Sequence, residues 1–103
     1  MGWVTQRSFP HIAAWAPSVV EKERILVRYF AAAAEAAGCQ EEWITIAPGT
    51  SLGQILIQAV TLHGTALKTV LDRCSFLVDG IARRDHALPV SGDIDVLPPF
   101  AGG

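Results

Sequence analysis

The chain closes on Leu97-Pro98-Pro99-Phe100-Ala101-Gly102-Gly103, seven residues without a charged side chain. At ordinary glycine usage of about 7%, a Gly-Gly end arises by chance in about 0.5% of chains. Two prolines stiffen the stem, Phe100 supplies an aromatic anchor, and the residues beyond Leu97 reach about 20 Å when extended. Residues without a Cβ let backbone pass where a side chain would clash, and they leave the terminal carboxyl carbon open to attack. That carboxylate is ionised at neutral pH. It can attack the α-phosphate of an ATP held by another protein, and the resulting acyl-adenylate can accept sulfur to become a thiocarboxylate, or an amine to become an amide. On this reading the reactive group is the main-chain terminus, Gly103.

No side-chain constellation competes with it. Gly49-Thr50-Ser51-Leu52-Gly53 places glycines ahead of a helix but lacks the lysine and the spacing of a phosphate loop. His11, His63 and His86, with Cys39 and Cys74, show no metal-ligand spacing, so no metal site is expected. Two cysteines are too few for a disulfide framework or a four-cysteine cluster, and both are read as reduced thiols, with Cys74 a small buried hydrophobe. Arg83-Arg84 reads as a solvated hairpin edge and the three tryptophans as packing or tail residues.

The elements that must carry this tail follow from periodicity. Residues 1–22 mix Gly, Pro, Ser and the aromatics Trp3, Phe9 and Trp15 without either regular period, so they read as an extension outside the core. Ile25 to Phe30 is a β-branched and aromatic strand; period two puts Ile25, Val27 and Tyr29 in the core and Leu26, Arg28 and Phe30 on the other face. Ala31 to Ala37 forms a short helix closed by Gly38. Glu42 to Ala47 is extended, and Ser51 with Gln54 fits a capping box that starts the main helix. Leu52, Ile55, Leu56, Ala59 and Leu62 form its apolar stripe, and Gly64 ends it. Leu67, Val70 and Leu71 suggest another turn or two of helix. Cys74 to Asp79 is extended, Ile81 to Leu88 is a weaker hairpin candidate around Asp85-His86, and Ser91-Gly92-Asp93 turns into a last strand, Ile94 to Leu97, which Pro98-Pro99 terminates.

One main helix with four or five short strands gives an α+β roll, a mixed sheet covered on one face. Domain 23–97 would then carry a flexible tail, 98–103. The uncovered face, with Leu26, Arg28, Phe30, Leu77 and Leu97, forms an apolar patch of the kind that binds a partner. A partner also fits the composition: half of the residues are apolar, only 17% are charged, and none from Trp43 to Leu67 is charged. The formal net charge of −2 gives no field for phosphate backbones, so nucleic acid is not an expected partner. The apolar runs are too short to span a bilayer, and the N-terminus lacks the continuous apolar region of a secretory signal, so a cytoplasmic protein is expected.

Arg28-Tyr29-Phe30-Ala31-Ala32-Ala33-Ala34-Glu35-Ala36-Ala37-Gly38, then Ser91-Gly92-Asp93, then Pro98-Pro99-Phe100-Ala101-Gly102-Gly103, in that order from about Arg24 onward, resemble the ubiquitin-like sulfur carriers. The tail is common to all of them. The alanine-rich helix after the first strand resembles the molybdopterin synthase branch, whereas thiamine-pathway carriers are shorter there. The resemblance implies a β-grasp fold and a carrier subunit with no side-chain catalytic site or bound cofactor of its own. A ubiquitin-activator-like enzyme would use ATP to adenylate Gly103, a sulfurtransferase would supply sulfur, and the thiocarboxylate would convert cyclic pyranopterin monophosphate within the synthase large subunit, in a heterotetramer. Gly103 matches the modified residue, Gly102 its required neighbour and Phe100 the stem anchor; Ala101, Pro99, Leu97, Leu26, Phe30 and Leu77 complete the implied partner contacts. The extension of residues 1–22 departs from the family pattern. Carriers of this fold also serve cysteine, thiamine or tRNA-thiolation pathways or protein conjugation, and a β-grasp interaction module without chemistry stays open as well.

Overall fold

A computed structural model describes residues 22–99. Eight elements follow in the order β1 (Glu23–Tyr29), α1 (Ala32–Ala37), β2 (Glu41–Ile46), α2 (Leu52–His63), α3 (Thr65–Leu71), β3 (Ser75–Val78), β4 (Ile81–Ala82) and β5 (Ile94–Leu97). They build one five-stranded mixed sheet in the order β2-β1-β5-β3-β4. The central pair β1–β5 is parallel, with Val27 opposite Ile94 and Tyr29 opposite Val96; the β1–β2, β3–β5 and β3–β4 pairs are antiparallel. Among the described residues, no helix is long and apolar enough to cross a membrane.

Strand alternation assigns the two faces of the sheet. Ile25, Val27 and Tyr29 of β1, Ile44 and Ile46 of β2, Phe76 and Val78 of β3 and Ile94 and Val96 of β5 are buried, together with Leu52, Ile55 and Ala59 of α2 and Leu67 and Leu71 of α3. Packing apolar helix stripes on one sheet face removes both from water, at roughly 25 cal/mol per Å² of apolar surface. The intervening strand residues Leu26, Arg28, Leu77, Asp95 and Leu97 stay half-buried on the opposite face, which no helix among the described residues covers.

Local chemistry sets the helix ends. Ser51 and Gln54 form the anticipated capping box: Gln54 N–H donates to Ser51 Oγ at 3.2 Å, and Ser51 N–H donates to Gln54 Oε1 at 2.9 Å. Gly38 closes α1 in the left-handed region at φ 78°, its N–H bonded to Ala34 O at 2.9 Å.

Three expectations from the sequence are corrected. The hairpin turn is Asp79-Gly80, joining β3 to β4, and not Asp85-His86. Both turn residues have positive φ, 55° and 81°, as a tight type I′ hairpin requires. The segment after β4 instead runs past the start of α2, where Leu52 N–H and Gly53 N–H donate to Leu88 O and His86 O, supplying partners that the first helical turn lacks. Arg83 does flank the β3–β4 hairpin, its N–H donating to Phe76 O at 2.9 Å, but its side chain is not free in solvent, since Nη1 donates to Leu88 O and Pro89 O and pins that segment. Third, Leu62 is 62% exposed. At 100° per residue it lies about 20° from the buried Ile55, and His63 about 20° from the buried Leu52, so both stand at the edges of the stripe and the docking of α2 on the sheet decides between them, with His63 packed against Tyr29 and Glu42. Histidine thus takes the inward position at the end of α2.

Candidate functional site

The parallel register of β1 and β5 brings the C-terminal ends of both strands to one end of the sheet. Phe30 N–H donates to Val96 O at 3.2 Å, which sets Phe30, 43% exposed, beside the point where the chain leaves β5. From there Pro98, half-buried, and Pro99, exposed, pass a shallow depression lined by Ala32, Thr69, Val70 and Arg73. Prolines carry no N–H, so the sheet ladder cannot continue into the tail. The stem therefore starts from a fixed place, held by a buried strand of the core. Phe100, Ala101, Gly102 and Gly103, the residues to which the sequence assigns the chemistry, lie outside the described residues, as do residues 1–21.

The open face beside this exit carries the other predicted contact residues, but it is not a continuous apolar patch. Leu26 lies on one side; Leu77 and Leu97 lie on the other. Between them, Arg28 Nε donates to Asp95 Oδ1 at 2.6 Å and Nη1 to Asp93 Oδ2 at 3.3 Å. The hydrogen bond to Asp95, then the charges of the two aspartates, hold the already basic guanidinium above its ordinary range. Arg28 satisfied by this fork can sit in a strand centre and still present charge to a partner. The sequence reading missed two members of this face. Asp95 pairs with Leu77 and with Arg28 across the ladders. Trp43, opposite Leu26 in the β1–β2 register, is 55% exposed, with the Arg24 guanidinium 4.9 Å from its ring. It is neither a core nor a tail residue. The signal was available, because period two through the buried Ile44 and Ile46 puts Trp43 on the open side.

The remaining sequence candidates are dispersed or differently placed. His86 stacks edge-on against Phe76 at 5.2 Å. Cys74 is a free thiol just before β3, half-buried, donating to Val70 O at 3.2 Å. Cys39 is also free; burial, then the nearby Glu42 carboxylate, push its thiol above the ordinary range. Cys39 and His63, which have no metal-ligand spacing in sequence, do meet in space around Glu42. Nothing local announces this, since the three residues come from a turn, a strand and a helix end.

The family model described as the ThiS family matches residues 27–103. A molybdopterin synthase sulfur carrier subunit of Chlamydomonas reinhardtii is 30% identical over 83 residues, covering 78% of this chain and 99% of that protein. Among solved structures, SAMP1 from Haloferax volcanii superposes with a TM-score of 0.68 at 23% identity, covering 79% of this chain and all of that one. Subunit 1 or 2 of the molybdopterin-converting factor complex from Helicobacter pylori superposes with a TM-score of 0.55 at 20% identity, over 79% of this chain and 100% of that chain. These neighbours share the ubiquitin-like β-grasp fold, as the resemblance implied.

Proposed function

Since the chain belongs to the ThiS family, we propose that it is a sulfur carrier and that Gly103 is the group that carries the sulfur. The observation that supports this most is that the family match runs through the Gly-Gly end. A 30% identical relative, matched over nearly its whole length, is a molybdopterin synthase sulfur carrier subunit. The acceptor proposed here is accordingly cyclic pyranopterin monophosphate, held by the large subunit of molybdopterin synthase.

The cycle runs in three steps. A carboxylate oxygen of Gly103 attacks the α-phosphate of ATP on a ubiquitin-activator-like enzyme; pyrophosphate leaves, and an acyl-adenylate forms. The persulfide of a sulfurtransferase then attacks the acyl carbon and AMP leaves; a thiol reductant cleaves the S–S bond of the acyl disulfide so formed, and the thiocarboxylate remains. This chain contributes position. Its core anchors β5, the prolines of the stem end the sheet ladder ahead of the last four residues, and the open face with Leu26, Arg28, Trp43, Phe30, Leu77 and Leu97 meets the partner that receives the tail. Gly102 and Ala101 pass the channel, and Phe100 anchors the stem. ATP is a substrate of the activating enzyme, and no cofactor is assigned to this chain for sulfur transfer.

Incubation with an adenylating enzyme of this class, ATP and a sulfur donor tests the proposal by intact mass. One oxygen should be replaced by one sulfur, and deletion of Gly103 or addition of one residue after it should abolish the change. Loading that persists in either variant overturns the carrier assignment. Conversion of cyclic pyranopterin monophosphate by the loaded chain with a synthase large subunit then tests the acceptor separately.

A further inference from the structure

On the helix side of the sheet, away from the open face, three metal-binding groups from three elements converge. Cys39 follows the cap of α1, Glu42 lies on β2 on the same side as the buried Ile44 and Ile46, and His63 is the last residue of α2. One donor atom from each lies within 4.8 Å of the other two. Glu42 Oε2 accepts a hydrogen bond from the Tyr29 hydroxyl at 2.6 Å and lies 2.7 Å from His63 Nε2. Both contacts fall on one carboxylate oxygen. The Tyr29 and His63 rings meet edge to face at 6.1 Å, which fixes the imidazole against the core. Among the described residues, Glu42 pairs with His63 and with no Lys or Arg.

We propose that Cys39 Sγ, the Glu42 carboxylate and His63 Nε2 form a binding site for one Zn2+ ion, with water in the fourth tetrahedral position. A thiolate, an imidazole and a carboxylate make a donor set of mixed softness that suits zinc and disfavours Mg2+ or Ca2+, which take oxygen ligands. Zinc–ligand bonds of about 2.0–2.3 Å set tetrahedral donors about 3.5 Å apart, so closing the site requires shifts of about 1 Å. The end of α2 helps, because its last carbonyls present partial negative charge to a cation. Tyr29 stays bonded to Oε2 and orients the carboxylate from outside the metal's own ligands, as such partners commonly do.

On binding, the Cys39 S–H bond breaks, its proton goes to solvent, and a zinc–sulfur bond forms. His63 gives the Nε2 lone pair to the metal and carries its ring N–H on Nδ1. The metal then clips the α1–β2 turn to the end of α2, and it does so independently of sulfur carriage at the tail.

The test uses the full reduced chain and Co2+ as a spectroscopic stand-in for zinc. The expected result is one Co2+ per chain with tetrahedral visible bands and a thiolate-to-cobalt charge-transfer band, displaced by one equivalent of Zn2+. Cys39→Ser should remove the band and weaken metal affinity at least tenfold, while Cys74→Ser leaves both unchanged. Zn2+ should raise Tm in the parent chain and not in Cys39→Ser, a variant that removes no hydrogen bond seen in the fold. His63→Gln, which can still bond Glu42, should behave like Cys39→Ser. Absence of a thiolate band, its survival in Cys39→Ser, or its loss in Cys74→Ser overturns the site.

Discussion

Replacing Gly92 by alanine probes the junction that starts β5, and through it the strand that holds the tail. A Cβ at position 92 would lie 2.8 Å from Asp79 Cβ and 2.9 Å from Asp79 Cγ, well inside the optimum of about 3.5–4.0 Å for carbon contacts. The offending atoms are not the free end of a flexible side chain. Asp79 is held at φ 55° in the β3–β4 turn, and its N–H donates to Asp93 O at 2.7 Å. To relieve the overlap, either the turn must move or β5 must give up register with β3. Overpacking of this kind costs about 1–3 kcal/mol, and in a domain of 60–100 residues each kcal/mol lowers Tm by about 4–8 °C. The decisive assay is a double-mutant cycle followed by thermal and urea unfolding. Asp79→Gly deletes both clashing atoms, and glycine accepts positive φ without strain. Gly92→Ala in the Asp79→Gly background should therefore cost less than about 0.5 kcal/mol, leaving a coupling of about 1–3 kcal/mol between neighbours, as expected for residues in contact. A Gly92→Ala penalty equal in both backgrounds, or none in either, would refute the close-approach argument.

Ser51→Ala removes one half of the capping box at the start of α2 and should destabilise the domain by about 1 kcal/mol, read as a lower urea midpoint at unchanged slope. Burial raises the Cys74 thiol above its ordinary value, so in a Cys39→Ser chain its alkylation rate should rise with pH at a midpoint above that of a free thiol. The linked stability is present below the thiol's unfolded pKa and lost as pH rises through the higher folded value; Tm should therefore fall more steeply with alkaline pH when Cys74 is present than in Cys74→Ser. Phe30→Ala should change Tm little, because the ring is 43% exposed, yet weaken binding to the proposed large subunit about thirtyfold if the ring fills a dry pocket there, equivalent to about 2 kcal/mol. Equal partner affinity with a large loss of Tm would place Phe30 in the protein's own packing.

Local signals within a few residues carried much of the fold. The alternation Ile25, Val27, Tyr29 assigned the two faces of β1, Ser51 and Gln54 marked the start of α2, and Pro98-Pro99 marked the end of β5. Each of these is an interaction between residues no more than four apart, so the chain itself states it. The order of elements was legible for the same reason. Tertiary structure decided the rest. Arg28 and Asp95 are 67 positions apart, and only the parallel β1–β5 register makes them partners, which turns an expected apolar patch into a charged centre with apolar flanks. The hairpin turn at Asp79-Gly80 was in fact local, an Asp-Gly pair whose two residues accept positive φ, and the expectation of a turn at Asp85-His86 passed over it. His63, and not Leu62, faced inward although both lie at the edges of the α2 stripe, because the docked helix end puts His63 against Tyr29 and Glu42. Cys39, Glu42 and His63 became neighbours only when a turn, a strand and a helix end packed together. Such meetings depend on how whole elements dock, and one-dimensional spacing does not record docking.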